Sequence, residues 1–138
     1  MLKVLIVDDS LIIRKKITKN IEKLGHKVIF AAQNGKEAIE AYNAKKPDLV
    51  TMDITMPDMD GITAVKSIIK DDPKAKIIMV TSHGQEEMVI KSIQAGAVGY
   101  MLKPITEDKL LQSIAEVFPE YAKDEDSEEL YLLDDDDF

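Results

Sequence analysis

Five short apolar runs, each closing on polar residues and each followed by a segment of helical spacing, constrain this chain more than any other feature. The runs cover residues 2–7, 27–31, 48–52, 76–81 and 98–102. They are short and mostly apolar, the pattern of strands covered on both faces. After the first run Ser10 is placed to cap a helix with Ile13, Ile17, Ile21 and Leu24 inward, stopped by Gly25. The second run leads through an Asn34-Gly35 turn to an Ala38, Ile39, Tyr42 face that ends before Pro47. Beyond the Pro57/Gly61 loop, Ile62, Val65, Ile68 and Ile69 form a third helical face, ending near Asp72-Pro73. Residues 86–95 make a fourth helix stopped by Gly96, with Val89 and Ile93 inward, and Leu110, Leu111, Ile114 and Phe118 face inward from a fifth.

Strand and helix in strict alternation imply an α/β fold, a doubly wound five-stranded parallel sheet with helices on both faces, because each parallel crossover needs a helix. Such sheets bind ligands outside the carboxyl ends of their strands, where the strand order reverses. In the order 2-1-3-4-5, taken here as the commonest five-strand solution, that point lies between strands one and three. Asp8 and Asp9 end the first strand and Asp53 ends the third.

Three carboxylates in one crevice repel: at about 4 Å and an effective dielectric near 20, each pair costs about 4 kcal/mol. A divalent cation relieves this, and Mg²⁺ suits an oxygen-only set, since it binds one or two carboxylates, water and a phosphate. With no cysteine and two histidines, zinc does not fit the composition. Lys103 closes the fifth strand and can extend an ammonium toward the crevice, while Thr81 at the end of the fourth offers a hydroxyl. A carboxylate nucleophile at Asp53, acids for a metal, a point cation and a hydroxyl are the parts that hold a transferring phosphoryl group.

The whole charge of −8 argues against bare affinity for nucleic acid, yet it is unevenly spread. Residues 119–138 carry ten Asp and Glu against the single Lys123, a net −9, which leaves +1 for residues 1–118. No stretch nears the roughly 18 apolar residues of a membrane span, and residues 2–7 run into Asp8-Asp9 without a signal-peptide pattern, so a cytoplasmic protein is expected. The absence of cysteine excludes disulfides and thiolate metal sites.

Taken together, Asp8-Asp9, Asp53 followed by Met56-Pro57 and Asp60-Gly61, Thr81-Ser82, Tyr100 and Lys103-Pro104 strongly resemble the receiver domain of two-component response regulators, in particular the single-domain chemotaxis type. The resemblance covers about residues 1–120. It implies the flavodoxin-like (βα)5 fold; the 2-1-3-4-5 order is already known for chemotaxis receivers, so it is not a finding of the periodicity. It further implies that Asp53 accepts phosphate from a phosphohistidine on a sensor histidine kinase. Asp8 or Asp9, Asp53 and the main-chain carbonyl of Thr55 would bind Mg²⁺, Thr81 and Lys103 would contact the phosphoryl oxygens, and the Lys103–Pro104 bond would be cis. Tyr100 would turn inward as Thr81 moves. A face of the fourth helix, fifth strand and fifth helix, with Lys91, Gln94, Tyr100 and Lys109, would bind an output protein such as the flagellar motor switch. A phosphatase partner, and a monomer or a phosphorylation-dependent dimer, belong to the same expectation.

Other readings stand beside this one. A phosphorelay intermediate, or a receiver cut from a larger regulator, would share the acceptor site; Met1 is present and no basic DNA-reading helix follows. An aspartyl-phosphate phosphatase typically has a second Asp two residues after its nucleophile, where this chain has Thr55, and without that proton donor turnover should be slow. Asp58 and Asp60 read as loop residues or caps, Tyr100 alone could be packing, and His26 beside Gly25 is expected to face solvent. Thr55 and His83 flank the site and could tune hydrolysis. Residues 121–138 form an acidic tail, a disordered run by composition, in which Leu130-Tyr131-Leu132-Leu133 is more apolar than a spacer requires. Deleting residues 123–138 separates the alternatives: a spacer leaves phosphorylation and partner affinity intact, and a docking segment changes one of them.

Overall fold

A computed structural model describes residues 1–122, so the apolar Leu130–Leu133 motif and the acidic run around it lie outside the described residues. Five strands, β1 (Lys3–Val7), β2 (Lys27–Ala32), β3 (Leu49–Asp53), β4 (Ile77–Thr81) and β5 (Gly99–Leu102), alternate with α1 (Leu11–Lys23), α2 (Gly35–Lys45), α3 (Gly61–Asp71), α4 (Glu86–Gln94) and α5 (Glu107–Val117). All pair in parallel, in the order β2-β1-β3-β4-β5. This is the doubly wound fold that the alternation implies. The central strands β3 and β4 are buried along their whole length, whereas edge strand β2 is half exposed, which follows from its having one neighbour.

Period-two side chains on the sheet feed two cores. Leu5, Val7, Val50, Met52, Ile77 and Met79 pack under α2 and α3 with Ala38, Tyr42, Val65 and Ile68. Val4, Ile6, Leu49, Ile78 and Val80 pack on the opposite face against Ile17, Ile21, Leu110 and Ile114 of α1 and α5. Each fully buried aliphatic side chain contributes about 1.5–3 kcal/mol of transfer free energy, so the double core fixes the sheet firmly. Four helices start on a side-chain oxygen that accepts a hydrogen bond from the first turn: Ser10, Asn34, Asp60 and Thr106. Asn34-Gly35 is thus a helix start rather than a bare turn, and Asp60 is a cap.

Two expectations are corrected. His26 is buried, not solvent-facing: its Nδ1 accepts the Leu2 N–H at 3.0 Å, and its ring meets Tyr121 edge-on at 4.7 Å. The Tyr121 hydroxyl in turn accepts from the Met1 ammonium at 2.8 Å, so this tyrosine joins the packed body. Ile93 points outward and is 45% exposed, because Ser92 is the α4 residue buried against the sheet and Met88, one turn earlier, packs with it. Ile90 shares the outward row at 59% exposed.

The chain leaves β3 through a tight loop that returns at once to the strand end. The Gly61 N–H donates to the Ile54 carbonyl at 2.7 Å, and a Cβ on Gly61 would collide with the Asp53 carbonyl oxygen. Only glycine permits this approach of α3 to the residue before Ile54. Gly61→Ala is therefore expected to lower stability by about 1–3 kcal/mol through backbone displacement, as checked by urea unfolding.

Candidate functional site

The carboxyl ends of β1, β3, β4 and β5 bring the polar residues that close each strand into one crevice. Asp8, following β1, is fully buried, and its Oδ1 accepts the Ser10 N–H at 2.9 Å, which holds the carboxylate at the start of α1. Arg14 donates to the Asp8 carbonyl at 2.7 Å and pins the backbone of the same turn. Asp53 is 5% exposed at the end of β3, and Asp9 is exposed beside it. One carboxylate oxygen from each of Asp8, Asp9 and Asp53 lies within 4.8 Å of the others.

Lys103 reaches in from the segment after β5, with Nζ 3.4 Å from Asp8 Oδ2 and 3.6 Å from Asp53 Oδ1. Its own N–H donates to the Thr81 carbonyl at 2.7 Å, and the peptide bond to Pro104 is cis. Among the described residues, Asp8 Oδ2 accepts no hydrogen bond although it is buried, so its contact with Lys103 is an ion pair only. Burial first, and Asp8 second, push the Asp53 carboxyl up to about 6; Asp9 adds to this, while Lys103 and a backbone N–H from Thr55 pull it down. One ammonium does not neutralise the cluster. A buried oxygen without a donor, within a set of three carboxylates, fits a hard divalent cation with oxygen ligands.

Thr81 ends β4 fully buried, and its hydroxyl points to Gln85 Oε1 at 2.8 Å rather than into the carboxylate cluster. Thr55 is exposed in the β3–α3 connection, and His83 is exposed beyond Thr81. Tyr100 on β5 is 53% exposed, with its ring on a groove of about 400 Å³ that Thr81, Gln85, Val89, Ile90 and Leu102 also line. Lys91 and Gln94 are exposed on α4. Lys109 is less free than its sequence position suggests, since its ammonium donates to the carbonyls of Leu102 and Pro104, both at 2.9 Å, and so ties α5 to the cis turn. Sequence reasoning missed Gln85, Ser10 and Arg14 as parts of the site. The only signal for Gln85 was its place four residues after Thr81, just before α4.

The response regulator receiver domain, as a sequence family, matches residues 4–115. The chain belongs to that family. This receiver is similar to the chemotaxis protein CheY of Bacillus subtilis, 49% identical over 112 residues that span 81% of this chain and 93% of the relative. It is also similar to CheY of Thermotoga maritima, 47% identical over 115 residues, 83% of this chain and 96% of that one. Among solved structures, a chain in the CheX–CheY–BeF3–Mg²⁺ complex from Borrelia burgdorferi superposes with a TM-score of 0.81 at 39% identity, covering 84% of this receiver and 88% of that chain. The chain is thus a receiver of the chemotaxis type with the five-stranded order common to its neighbours. Among the described residues no helix is long and apolar enough to cross a membrane.

The raised titration of Asp53 has a stability consequence. An unfolded aspartate loses its proton near 3.8 while the native one holds it to about 6, so the native state binds more protons between those values. Metal-free stability should fall as pH rises through that window and level off above it. Asp53→Asn is expected to flatten the profile and to stabilise the metal-free protein at pH 8 by up to about 3 kcal/mol, measured by urea unfolding at pH 5 and pH 8.

Proposed function

We propose that this receiver is a phosphorylation-controlled switch in chemotaxis, in which Asp53 takes a phosphoryl group from a sensor histidine kinase and the α4–β5–α5 face answers by binding an output protein. The observation that carries the reading is the convergence of Asp53 with two further carboxylates and an ammonium at 3.6 Å, at the reversal point of the sheet. In the transfer an Asp53 carboxylate oxygen bonds to phosphorus as the donor's N–P bond breaks, and the imidazole leaves with that electron pair. Asp53 is desolvated, which makes its oxygen a better nucleophile in the ionised form, and Lys103 favours that form. Lys103 then has a phosphoryl oxygen to meet in place of one carboxylate, and Thr81 supplies a neutral donor from the next strand.

Asp8 or Asp9, Asp53 and the main-chain carbonyl of Thr55 would hold Mg²⁺, which when bound neutralises charge on the phosphoryl oxygens. Thr55 stands where a phosphatase would place an acid, so the acyl phosphate has no built-in proton donor and breaks down slowly. That suits a signal rather than a turnover enzyme, and the protein catalyses only its own phosphorylation and dephosphorylation.

Chemotaxis is supported by the CheY relatives, and the flagellar motor switch is the output partner we assign. Ile90, Ile93, Val98 and Tyr100, all exposed, give the α4–β5 surface an apolar character suited to a protein partner, with Lys91 and Gln94 on its polar margin. The Borrelia structure pairs CheY with CheX; for this receiver, a phosphatase partner would shorten the phosphorylated lifetime. Residues 1–120, with Tyr121 packed against them, would form the receiver and the remaining residues an acidic appendage, the whole acting in the cytoplasm.

Incubation with acetyl phosphate and Mg²⁺, read by intact-protein mass and peptide mapping, tests the assignment. Label is expected on Asp53, absent from Asp53→Asn, and formed about 10²-fold more slowly in Lys103→Ala. Label elsewhere in the Asn variant, or a native protein that takes up none, overturns it.

A further inference from the structure

The β4–α4 connection contains a side chain that no part of the phosphoryl chemistry requires. Gln85 Oε1 accepts two hydrogen bonds, from the Thr81 hydroxyl at 2.8 Å and from the Ser82 N–H at 2.8 Å, and Gln85 Nε2 donates to the Thr55 hydroxyl at 2.7 Å. The amide orientation is fixed by its partners. Because the Ser82 N–H can only donate, the atom it faces must be the oxygen, which accepts only. The Thr81 hydroxyl therefore has Gln85 Oε1 as its nearer acceptor at 2.8 Å, ahead of the Ser82 carbonyl at 3.3 Å.

A hydroxyl has one proton to donate. Thr81 cannot hold Gln85 and donate to a phosphoryl oxygen on Asp53 at the same time, so the two bonds define exclusive states. Gln85 is also the residue that precedes α4, yet its side chain makes no cap for that helix. It spans instead to the β3–α3 loop, and it lines the groove on which Tyr100 rests. Helix α4 buries only Ser92 fully, so the element that Gln85 adjoins is lightly anchored and can take a second position.

We infer that Gln85 is a positioning residue that latches the unphosphorylated state, by holding the Thr81 hydroxyl away from Asp53 and tying the β4–α4 loop to Thr55. This rests on the reading of Asp53 as the phosphoryl acceptor. Phosphorylation must break the latch before Thr81 can turn, and the energy of the Thr81–Gln85 bond is subtracted from the affinity for the phosphoryl group. Release of Gln85 frees the amide from Thr55 as well, so both loops beside the site are loosened together with the start of α4.

Beryllofluoride with Mg²⁺, titrated by calorimetry, is the probe. Gln85→Met keeps the length of the side chain and removes every hydrogen bond. It is expected to bind beryllofluoride about 3- to 10-fold more tightly than the native protein, the range of one net hydrogen bond, with Mg²⁺ affinity alone unchanged. Thr81→Val removes the donor and keeps the shape, and in that background Gln85→Met is expected to gain less, since only the Ser82 and Thr55 bonds are left to release. An unaltered or weakened affinity in Gln85→Met overturns the latch, as does a gain that is undiminished with Thr81→Val. A native protein that binds no beryllofluoride with Mg²⁺ overturns the acceptor reading and the latch with it, whereas normal native binding with an unaffected Gln85→Met overturns the latch alone.

Discussion

The approach of the Lys103 ammonium to both Asp8 and Asp53 is the interaction on which the site depends. Two buried carboxylates on neighbouring strands cannot move apart, because the pairing of β1 with β3 sets their separation and the two cores hold both strands. Lys103, just after β5, is held beside these acids by its N–H bond to the Thr81 carbonyl at the end of β4. Compensation is partial: burial and Asp8 still hold the Asp53 carboxyl near 6. The incomplete balance leaves room for a cation, and a group so placed gains by meeting charge rather than by being left alone.

Rigid and loose parts meet at this point. Strands β3 and β4 are buried at every residue, and Gly61 locks the start of α3 onto the end of β3, so Asp53 is held on fixed backbone. Helix α4 presents an apolar row outward and buries one residue fully. Under the proposed function, a covalent change at Asp53 would act on the loose side, because the strand end is held on both faces. On the same proposal, a partner bound to the loose side would in turn favour the modified state, since coupling between sites is reciprocal.

Much of this was legible in the residues. Five apolar runs with their stops give the alternation, and the alternation gives a covered parallel sheet, because the period of the side chains and the need of parallel strands for crossovers leave few alternatives. The acids at the ends of the first and third runs, and Lys103 at the end of the fifth, were visible as strand-end residues for the same reason. His26 and Ile93 were not. Burial of His26 depends on Leu2 and Tyr121, far away in sequence, and the outward turn of Ile93 depends on which helical row meets the sheet, which Ser92 decided against hydropathy.

The sequence by itself determined the order of elements, the identity of the charged residues at the strand ends and the family to which they belong, since these rest on local periodicity and on residue types at fixed spacing. Only the tertiary structure decided that Lys103 lies between two acids, that Lys109 is tied to the carbonyls of Leu102 and Pro104, and that Gln85 bridges Thr81 and Thr55. Hydrogen bonds and ion pairs are directional and short in range. Which donor meets which acceptor is fixed only when strands distant in the chain are set side by side, and no pattern along the chain records that distance.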